Sequence, residues 1–592
     1  MDWNSFITGN SFDAYTYFGA HQDEDHMIFR TYAPHALRVT LTGEFNFWTE
    51  SEMEKNSKGV FTFRSSAARF GQMYKYIIYT KDGTRREHCD PYGYETERGR
   101  GHCSIIRDMN SYTYHDSEWM KTRSLNYDRP LSIYEMHIGS WQKKRPGGWQ
   151  WYNYDELAEP LILFLKRNGY THVEFLPLGE HPADFSWGYQ QTGLYSPTSR
   201  YGSCNALKFL VDHLHQEGIG VIFDFVSVHF AVDSYGLHMY DGSALFENKA
   251  IRKQKSDWGS ICFDHSKPVV RSFLQSAADF WIREYHADGI RFDAVSHLIL
   301  NGGKGEKGLN DAGIQFLKTM NKGLVQRHPE VMLIAEDPTV YEKVTFPVDA
   351  GGLGFTYKWD MGWSYDTLRF FDLKPANRAG QSRLLTFSTD YFRNEHYLLP
   401  LSHDIVSWNN PSLVSRMPGR LSSKLKNAKL LQLFMAVHPG KKMNFMGNES
   451  GMLKSWNGSG ELEWNLLNTE AHRSFYKFTA DLFCLVRKNS ALYEADYTEW
   501  STRWLCCEDN GIYAMIRHSK DHHILAVFNF SDHAQEQWFS LPHVANAELI
   551  LNSEWRCYGG NVSRREKIFT LVNDGISAAM PKLSGVLIEI TF

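Results

Sequence analysis

Long apolar runs are missing from this 592-residue chain: stretches such as Leu161 to Leu165 and Ile524 to Phe528 fall far short of the roughly 18 residues that a membrane-spanning helix needs. A membrane protein is therefore not expected. The opening residues, MDWNSFITGN, lack the basic start and apolar stretch of a secretory signal, so a cytoplasmic location is the expectation. Cysteine is sparse. The eight residues (Cys89, Cys103, Cys204, Cys262, Cys484, Cys506, Cys507 and Cys557) show no CxxC or Cys/His zinc spacing, and they read as reduced, mostly buried thiols. The adjacent Cys506 and Cys507 invite a redox reading, but neighbouring strand residues face opposite sides, and packing is the expectation. Neither sign of charge dominates: 63 basic against 68 acidic residues leave a net charge of −5 and a pI near 6.6. There is no field to gather phosphates or anionic lipid, which speaks against nucleic acid as a partner. No GxGxxG turn opens a helix after a strand, and no phosphate loop or metal cluster is visible, so neither cofactor nor metal is expected.

What is abundant is aromatic: 18 Trp, 31 Tyr and 38 Phe make up 15% of the chain. Flat rings with polar handles suit the apolar faces and hydroxyl edges of sugars, although composition alone favours an aromatic-rich core. Apolar residues at 42% and charged residues at 22% exclude disorder. At roughly 150 residues per domain the length allows about four domain-sized units, fewer if one is a large barrel.

From Met27 to Thr80 the pattern alternates with period two, in runs such as IFRTYA, RVTLTG, VFTFRS and YKYIIYT, with turn residues Lys81-Asp82-Gly83. This predicts a small antiparallel sandwich. After Pro130 short apolar strands alternate with amphipathic helices. Strands are expected at Ser132 to Met136, Val173 to Leu176, Gly220 to Val226, Gly289 to Val295, Val331 to Glu336, Phe355 to Trp359, Tyr397 to Leu401 and Lys442 to Met446. Asn153 and Glu156 form a capping box ahead of Leu157, Leu161, Phe164 and Leu165. Leu207, Leu210, Val211 and Leu214 form the next stripe, which Gly218 can terminate. Eight such units favour a (β/α)8 TIM barrel with insertions over an open doubly wound sheet. From about Glu494, runs such as GIYAMIRH, HHILAVFNF and GVLIEITF signal a second all-β unit. The expected division is 1–125 for an N-terminal β-sandwich, 126–490 for the barrel and 491–592 for a C-terminal β-sandwich.

In a barrel the active site is assembled at the C-terminal ends of the strands. The third strand, VIFDFVSVHF, ends with Asp224 and His229, and the fourth, DGIRFDAV, puts Arg291 and Asp293 on one face. The fifth, LIAED, ends with Glu336 and Asp337, and the seventh, LPLSHDIV, with His403 and Asp404. Any one carboxylate here could be a helix cap or a structural ion-pair member. Four strand ends together are costly to bury unless function requires them. Two carboxylates flanking a glycosidic bond can cleave it, a third can hold sugar hydroxyls, and an Arg beside a carboxylate keeps it ionised.

These four segments resemble the four signature regions of the α-amylase superfamily of glycoside hydrolases. The longer stretches YEMHIGSW (134–141), EFLPLGEHPADFSWGYQQTGLYSPTSRYG (174–202), HDIVSWNN (403–410), AVHPGKKMNFMGNESG (436–451) and LEWNLL (462–467) are similar to the bacterial 1,4-α-glucan (glycogen) branching enzymes. Ahead of the barrel, FRTYAPHALRVTLTGEFNFW (29–48), MYKYII (73–78) and DPYGY (90–94) resemble that family's starch-binding-type sandwich. The resemblance implies Asp293 as nucleophile, Glu336 as general acid/base and Asp404 as the carboxylate that stabilises the transition state. It implies that Tyr189, Asp224, His229, Arg291 and His403 line the subsite of the sugar whose bond is cut. Trp187 is a candidate for the rim; Trp48 and Tyr74 are glucan platforms or sandwich core, two readings of equal weight. Retention by double displacement requires the two carboxyls about 5 to 5.5 Å apart. The partner implied is an α-glucan such as glycogen or amylose; the oligomeric state stays open, with the monomer favoured.

Two positions depart from the family pattern. Ile405 stands where bacterial relatives usually have Glu, and it is expected to change acceptor handling or chain-length preference, not to abolish cleavage. The loop SVHFAVDSYG lacks the family's usual proline. Competing readings are a hydrolase of the same superfamily, debranching or trehalose-releasing, and a catalytically silent glucan-binding protein.

Overall fold

The computed structural model describes residues 1–99, 101–145, 150–250, 255–302, 308–507 and 510–592; the side chain of Cys507 lies outside the described set. The chain forms two compact, discontinuous units, one built from 1–124, 143–160 and 175–356, the other from 125–142, 161–174 and 357–592. Eight strands close a barrel in chain order: β1 (Ser132–Met136), β2 (His172–Phe175), β3 (Gly220–Phe225), β4 (Gly289–Phe292), β5 (Met332–Ala335), β6 (Tyr357–Trp359), β7 (Tyr397–Leu401) and β8 (Lys441–Phe445). All eight expected strands are present. Several are a residue or two shorter than the apolar run, because the pattern of buried residues continues past the last ladder pair into the loops that carry the polar groups.

In the first unit, two antiparallel sheets form the N-terminal sandwich, one of Gly19–Asp23, His26–Tyr32, Val60–Ser65 and Glu54–Lys55, the other of Ser51–Glu52, Arg38–Gly43, Met73–Tyr79 and Arg85–His88. Phe29 stacks on Phe45 and meets the edge of Tyr74, with ring centroids 5.3 and 5.0 Å apart. The Lys81-Asp82-Gly83 turn closes with Thr80 N donating to Thr84 O at 3.0 Å, and Gly83 takes the left-handed φ of +85° that the turn demands. Strands β3, β4 and β5 run parallel and are buried along their whole length, as parallel strands covered on both faces must be. Their register is what positions the chemistry: Asp224 pairs with Arg291 across β3 and β4, and Arg291 with Ile334 across β4 and β5.

Helix α1 (Tyr154–Arg167) begins where the Glu156 carboxylate accepts from Asn153 N at 2.9 Å, the reciprocal arm of the expected capping box. Helix α2 (Cys204–Gln216) buries Leu207, Leu210, Val211 and Leu214, and Gly218 follows it at φ +73°. Behind α2, Asp116 Oδ2 accepts from His215 Nδ1 and His286 Nδ1, both at 2.8 Å, while His215 Nε2 donates to Asp288 Oδ2 at 2.9 Å. Asp288 also accepts from Val221 N at 2.7 Å, so this clasp holds the start of β3.

The second unit holds β1, β7 and β8, which run parallel with Glu135 beside Phe445 and Leu401 beside Asn444. Its C-terminal sandwich packs a five-stranded sheet, centred on Ile512–His518, His523–Asn529 and Ser584–Thr591, with a three-stranded one of Gln535–Ser540, Gly575–Met580 and Phe569–Leu571. Arg517 is buried there with Asp496, 2.8 Å away. Among the described cysteines, Cys89, Cys103, Cys204 and Cys506 are buried, and Cys262, Cys484 and Cys557 are half-buried. Burial pushes the Cys89 thiol up to about 12, so it is inert. Cys506 donates to Ile512 O at 3.5 Å, a packing role. Among the described residues no helix is long and apolar enough to cross a membrane.

Candidate active site

The centre of the site is a guanidinium. Arg291, wholly buried on β4, donates through Nη1 to Asp224 Oδ2 at 2.6 Å and to Asp293 Oδ1 at 2.9 Å. Its Nη2 lies 3.6 Å from Glu336 Oε2. Tyr189 OH donates to the same Asp224 oxygen at 2.6 Å. One cation thus gathers three carboxylates from the ends of three adjacent strands, an arrangement that would be prohibitively repulsive without it. Burial pushes the Asp224 carboxyl up to about 6, with Arg291 opposing. Burial disfavours charge on Arg291 too, but Asp224 and its other anionic neighbours overcome this and hold its pKa well above the usual range.

The chain turns sharply after Asp293. Ala294 adopts φ +50°, a left-handed conformation that costs a non-glycine residue about 1 to 3 kcal/mol. That turn aims Ala294 N at Glu336 Oε2, 2.6 Å away, while Val295 N donates to the Glu336 carbonyl at 3.0 Å. The Asp293 loop and the Glu336 loop are therefore locked together. His229 is buried nearby on Phe230's short strand, and desolvation together with His297 lowers its pKa to about 3, so it is neutral.

In the second unit, His403 and Asp404 follow β7 in a single 3-10 turn. Glu135 at the end of β1 takes both polar handles of His403: Oε1 is 2.5 Å from Nδ1, and Oε2 accepts from the backbone N at 2.8 Å. His403 Nε2 lies 3.4 Å from Asp404 Oδ1, and the Asp404 side chain stays 42% exposed. Glu135 fixes the ring's tautomer and its orientation.

Among the described residues, Asp116, His215 and His286 bring three possible metal-ligating atoms within 4.8 Å of one another. Both histidine Nδ1 atoms approach the same carboxylate oxygen at hydrogen-bonding distance, so the group satisfies itself.

The chain matches carbohydrate-binding module 48 (isoamylase N-terminal domain) over residues 17–93, the alpha amylase catalytic domain over 259–528 and the alpha amylase C-terminal all-beta domain over 504–591. It is 38% identical over 571 residues to the 1,4-alpha-glucan branching enzyme GlgB of Bacillus subtilis (strain 168), which spans 94% of this chain and 91% of that one. The identity to the GlgB of Aquifex aeolicus (strain VF5) is also 38%, over 94% of this chain and 92% of that one. The chain belongs to the 1,4-α-glucan branching enzyme family. Among solved structures, pullulanase from Paenibacillus barengoltzii in complex with maltohexaose and alpha-cyclodextrin is similar with a TM-score of 0.77 and 18% identity, covering 100% of this chain and 97% of that one. At that identity the likeness is one of fold.

Within this branching-enzyme frame, the two readings of the N-terminal aromatics divide. Tyr74 is 1% exposed and donates its OH to buried Asp90 at 2.8 Å, so it is core. Trp48 is 44% exposed on a turn at φ +60°. Trp187, expected at the rim, is buried with φ +54°, two residues before Tyr189. Ile405 is buried in the turn that carries His403 and Asp404. Sequence reasoning missed Glu135, although a carboxylate closing a buried strand was the signal that found the others. It also missed Trp258, whose ring lies 5.0 Å from that of His229 and which no strand pattern marks.

Proposed function

We infer that the chain works as a glucan branching enzyme, a glycosyltransferase that cuts an α-1,4 bond in a glucan and moves the released chain to a C6 hydroxyl, making an α-1,6 branch. The observation that carries the site assignment is the Arg291 bridge, because it brings Asp293, as the nucleophile, and Glu336, as the acid/base, to one guanidinium. Glu336, protonated, gives its proton to the glycosidic oxygen while an Asp293 oxygen forms a bond to C1 and the C1–O bond breaks. The leaving chain departs with a free C4 hydroxyl. In the second half, Glu336 takes the proton of an acceptor C6 hydroxyl, the C1–O6 bond forms, and the ester bond to Asp293 breaks, restoring the Glu336 acid and the Asp293 carboxylate. Two inversions give net retention.

Asp224, Tyr189 and His229 hold the sugar at the cut bond, and Asp404 grips its ring hydroxyls with His403, which Glu135 orients. Trp187 backs the Tyr189 segment. The reaction runs on carboxylates, and the chain acts as a monomer in the cytoplasm on glycogen-like glucans. Its three parts are the glucan-binding sandwich of 1–125, the barrel of 126–490 and the sandwich of 491–592. Support for this reading comes from the family membership and from the module-48 match at the N-terminus. A fluorinated maltosyl fluoride that stalls the second step tests the assignment. Mass spectrometry of the digested protein is expected to find the sugar on the peptide holding Asp293, and a label on any other carboxylate would overturn it.

A further inference from the structure

A short turn beside the site holds an indole in an unusual setting. Ser256 Oγ accepts from the backbone N of Trp258 and of Ser260, both at 3.1 Å, and Gly259 takes φ +76°, so Trp258 stands at the tip of a tight loop. The Gln190 amide donates to the Trp258 carbonyl at 3.0 Å, which ties this loop to the residue after Tyr189. The indole lies between two imidazoles, with ring centroids 5.0 Å from His229 and 4.8 Å from His297. Even so, Trp258 stays 45% exposed. His229 Nδ1 is buried without a hydrogen-bond partner among the described residues, and His297 Nε2 makes no hydrogen bond there either, with Asp257 Oδ2 3.7 Å away. Buried polar atoms left unsatisfied are rare and costly. An open aromatic face bordered by imidazoles with bonding capacity to spare is what a sugar ring requires, apolar face against the ring and hydroxyls toward the polar edge.

The position of Glu336 says which sugar. As the acid, Glu336 stands beside the leaving oxygen and marks the side from which the cut chain departs and the acceptor enters. Ala294 and Val295 donate to it, and His297, whose N donates to Ala294 O at 2.9 Å, continues the same turn. Trp258 packs on His297, and so it borders the leaving side, while His229 borders the sugar being cut.

We infer that Trp258, between His229 and His297, is the platform that stacks the first glucosyl unit of the incoming acceptor chain. This rests on the branching reading given above. Stacked there, the acceptor presents its C6 hydroxyl to C1 of the Asp293 ester; Glu336 takes the hydroxyl proton, C1–O6 forms and the ester bond breaks. An empty platform leaves the same ester open to water, with the same proton transfer but a new reducing end as product.

The test is the number of α-1,6 linkages formed per α-1,4 bond cut when full-length protein acts on amylose, read by anomeric proton NMR alongside a reducing-end assay. Trp258→Ala and Trp258→Leu are expected to lower that ratio about tenfold, with a raised KM for added acceptor maltooligosaccharide. Trp258→Phe, which keeps a flat ring, is expected to recover most of it. Leucine keeps bulk without an aromatic face, so a Leu variant that folds like wild type, by its melting curve, and partitions like wild type overturns the proposal. If alanine or leucine does not fold, the Phe variant decides: a wild-type ratio with a wild-type acceptor KM supports the platform, and a tenfold loss contradicts it. A wild-type protein that makes no α-1,6 linkage at all would refute the branching reading itself, and that outcome is visible before any variant is compared.

Discussion

Asp293 and Glu336 follow neighbouring barrel strands, and substituting each separates the two halves of the proposed reaction. Asp293→Asn is expected to cut chain transfer by about 10,000-fold, the scale of losing a reacting carboxylate. Glu336→Gln is expected to cost about 100- to 10,000-fold, the range for a general acid. Initial rates on amylose check both. Glu135→Gln keeps the shape of the His403 contact but removes its charge, and a loss of about 10- to 100-fold in kcat is expected with little change in melting temperature, as for a hydrogen bond to a charged partner. Ile405→Glu puts a carboxylate into a buried position in the Asp404 turn; it is expected to lower the melting temperature and to shift the lengths of transferred chains. Debranching the product and sizing its chains measures this, and an unchanged profile would remove Ile405 from acceptor handling. At this scale the sequence was informative wherever a polar residue closed an apolar strand, as at Asp224, Asp293, Glu336 and Asp404. It was silent on Trp258, because a tryptophan in a loop carries no periodicity and only the neighbouring His229 ring gives it meaning. Tyr74 stayed open between platform and core for the converse reason: an aromatic in a two-sided sandwich faces the core or the solvent according to a one-residue register, and Asp90, which receives its hydroxyl, is sixteen positions away.

Two elements carry predictions of their own. On the N-terminal sandwich, Trp48→Ala is expected to weaken glycogen binding about 3- to 10-fold with the fold intact. Tyr74→Phe, by contrast, strips a hydroxyl from buried Asp90 and is expected to cost about 1 to 3 kcal/mol of stability with glycogen affinity unchanged. Affinity electrophoresis on glycogen and melting curves separate the two. Behind helix α2, burial opposes charge on His215, but Asp288 and Asp116 outweigh it and raise its pKa to about 9. A histidine raised from its ordinary 6.5 confers stability that is complete below that value and is lost as pH rises through 9, about 3 kcal/mol over the window. Melting curves between pH 6.5 and 9.5 are expected to show that loss in wild type and a flatter profile in His215→Gln. The barrel strands were legible because each is an unbroken apolar run bounded by a helix cap or a glycine, as Gly218 bounds α2 and introduces β3. Their ends were not, since buried side chains run on past the ladder at Val226 after β3 and precede it at Phe355 before β6. The His215 clasp was invisible because it joins three segments, around residues 116, 215 and 288, that share no local pattern.

For the whole molecule, three architectures in one chain follow from changes of rhythm, period two, then strand and helix, then period two again. That the product is a branch and not a reducing end follows from no rhythm, and depends on family membership and on which acceptor reaches the site. The fold is shared with a pullulanase at 18% identity, so architecture alone does not choose between transfer and hydrolysis. The deciding measurement is incubation of the full-length wild-type protein with amylose, following α-1,6 anomeric proton signals and reducing ends together. Branch signals growing with few net new reducing ends are the expected result. Reducing ends rising without new branches would contradict the account.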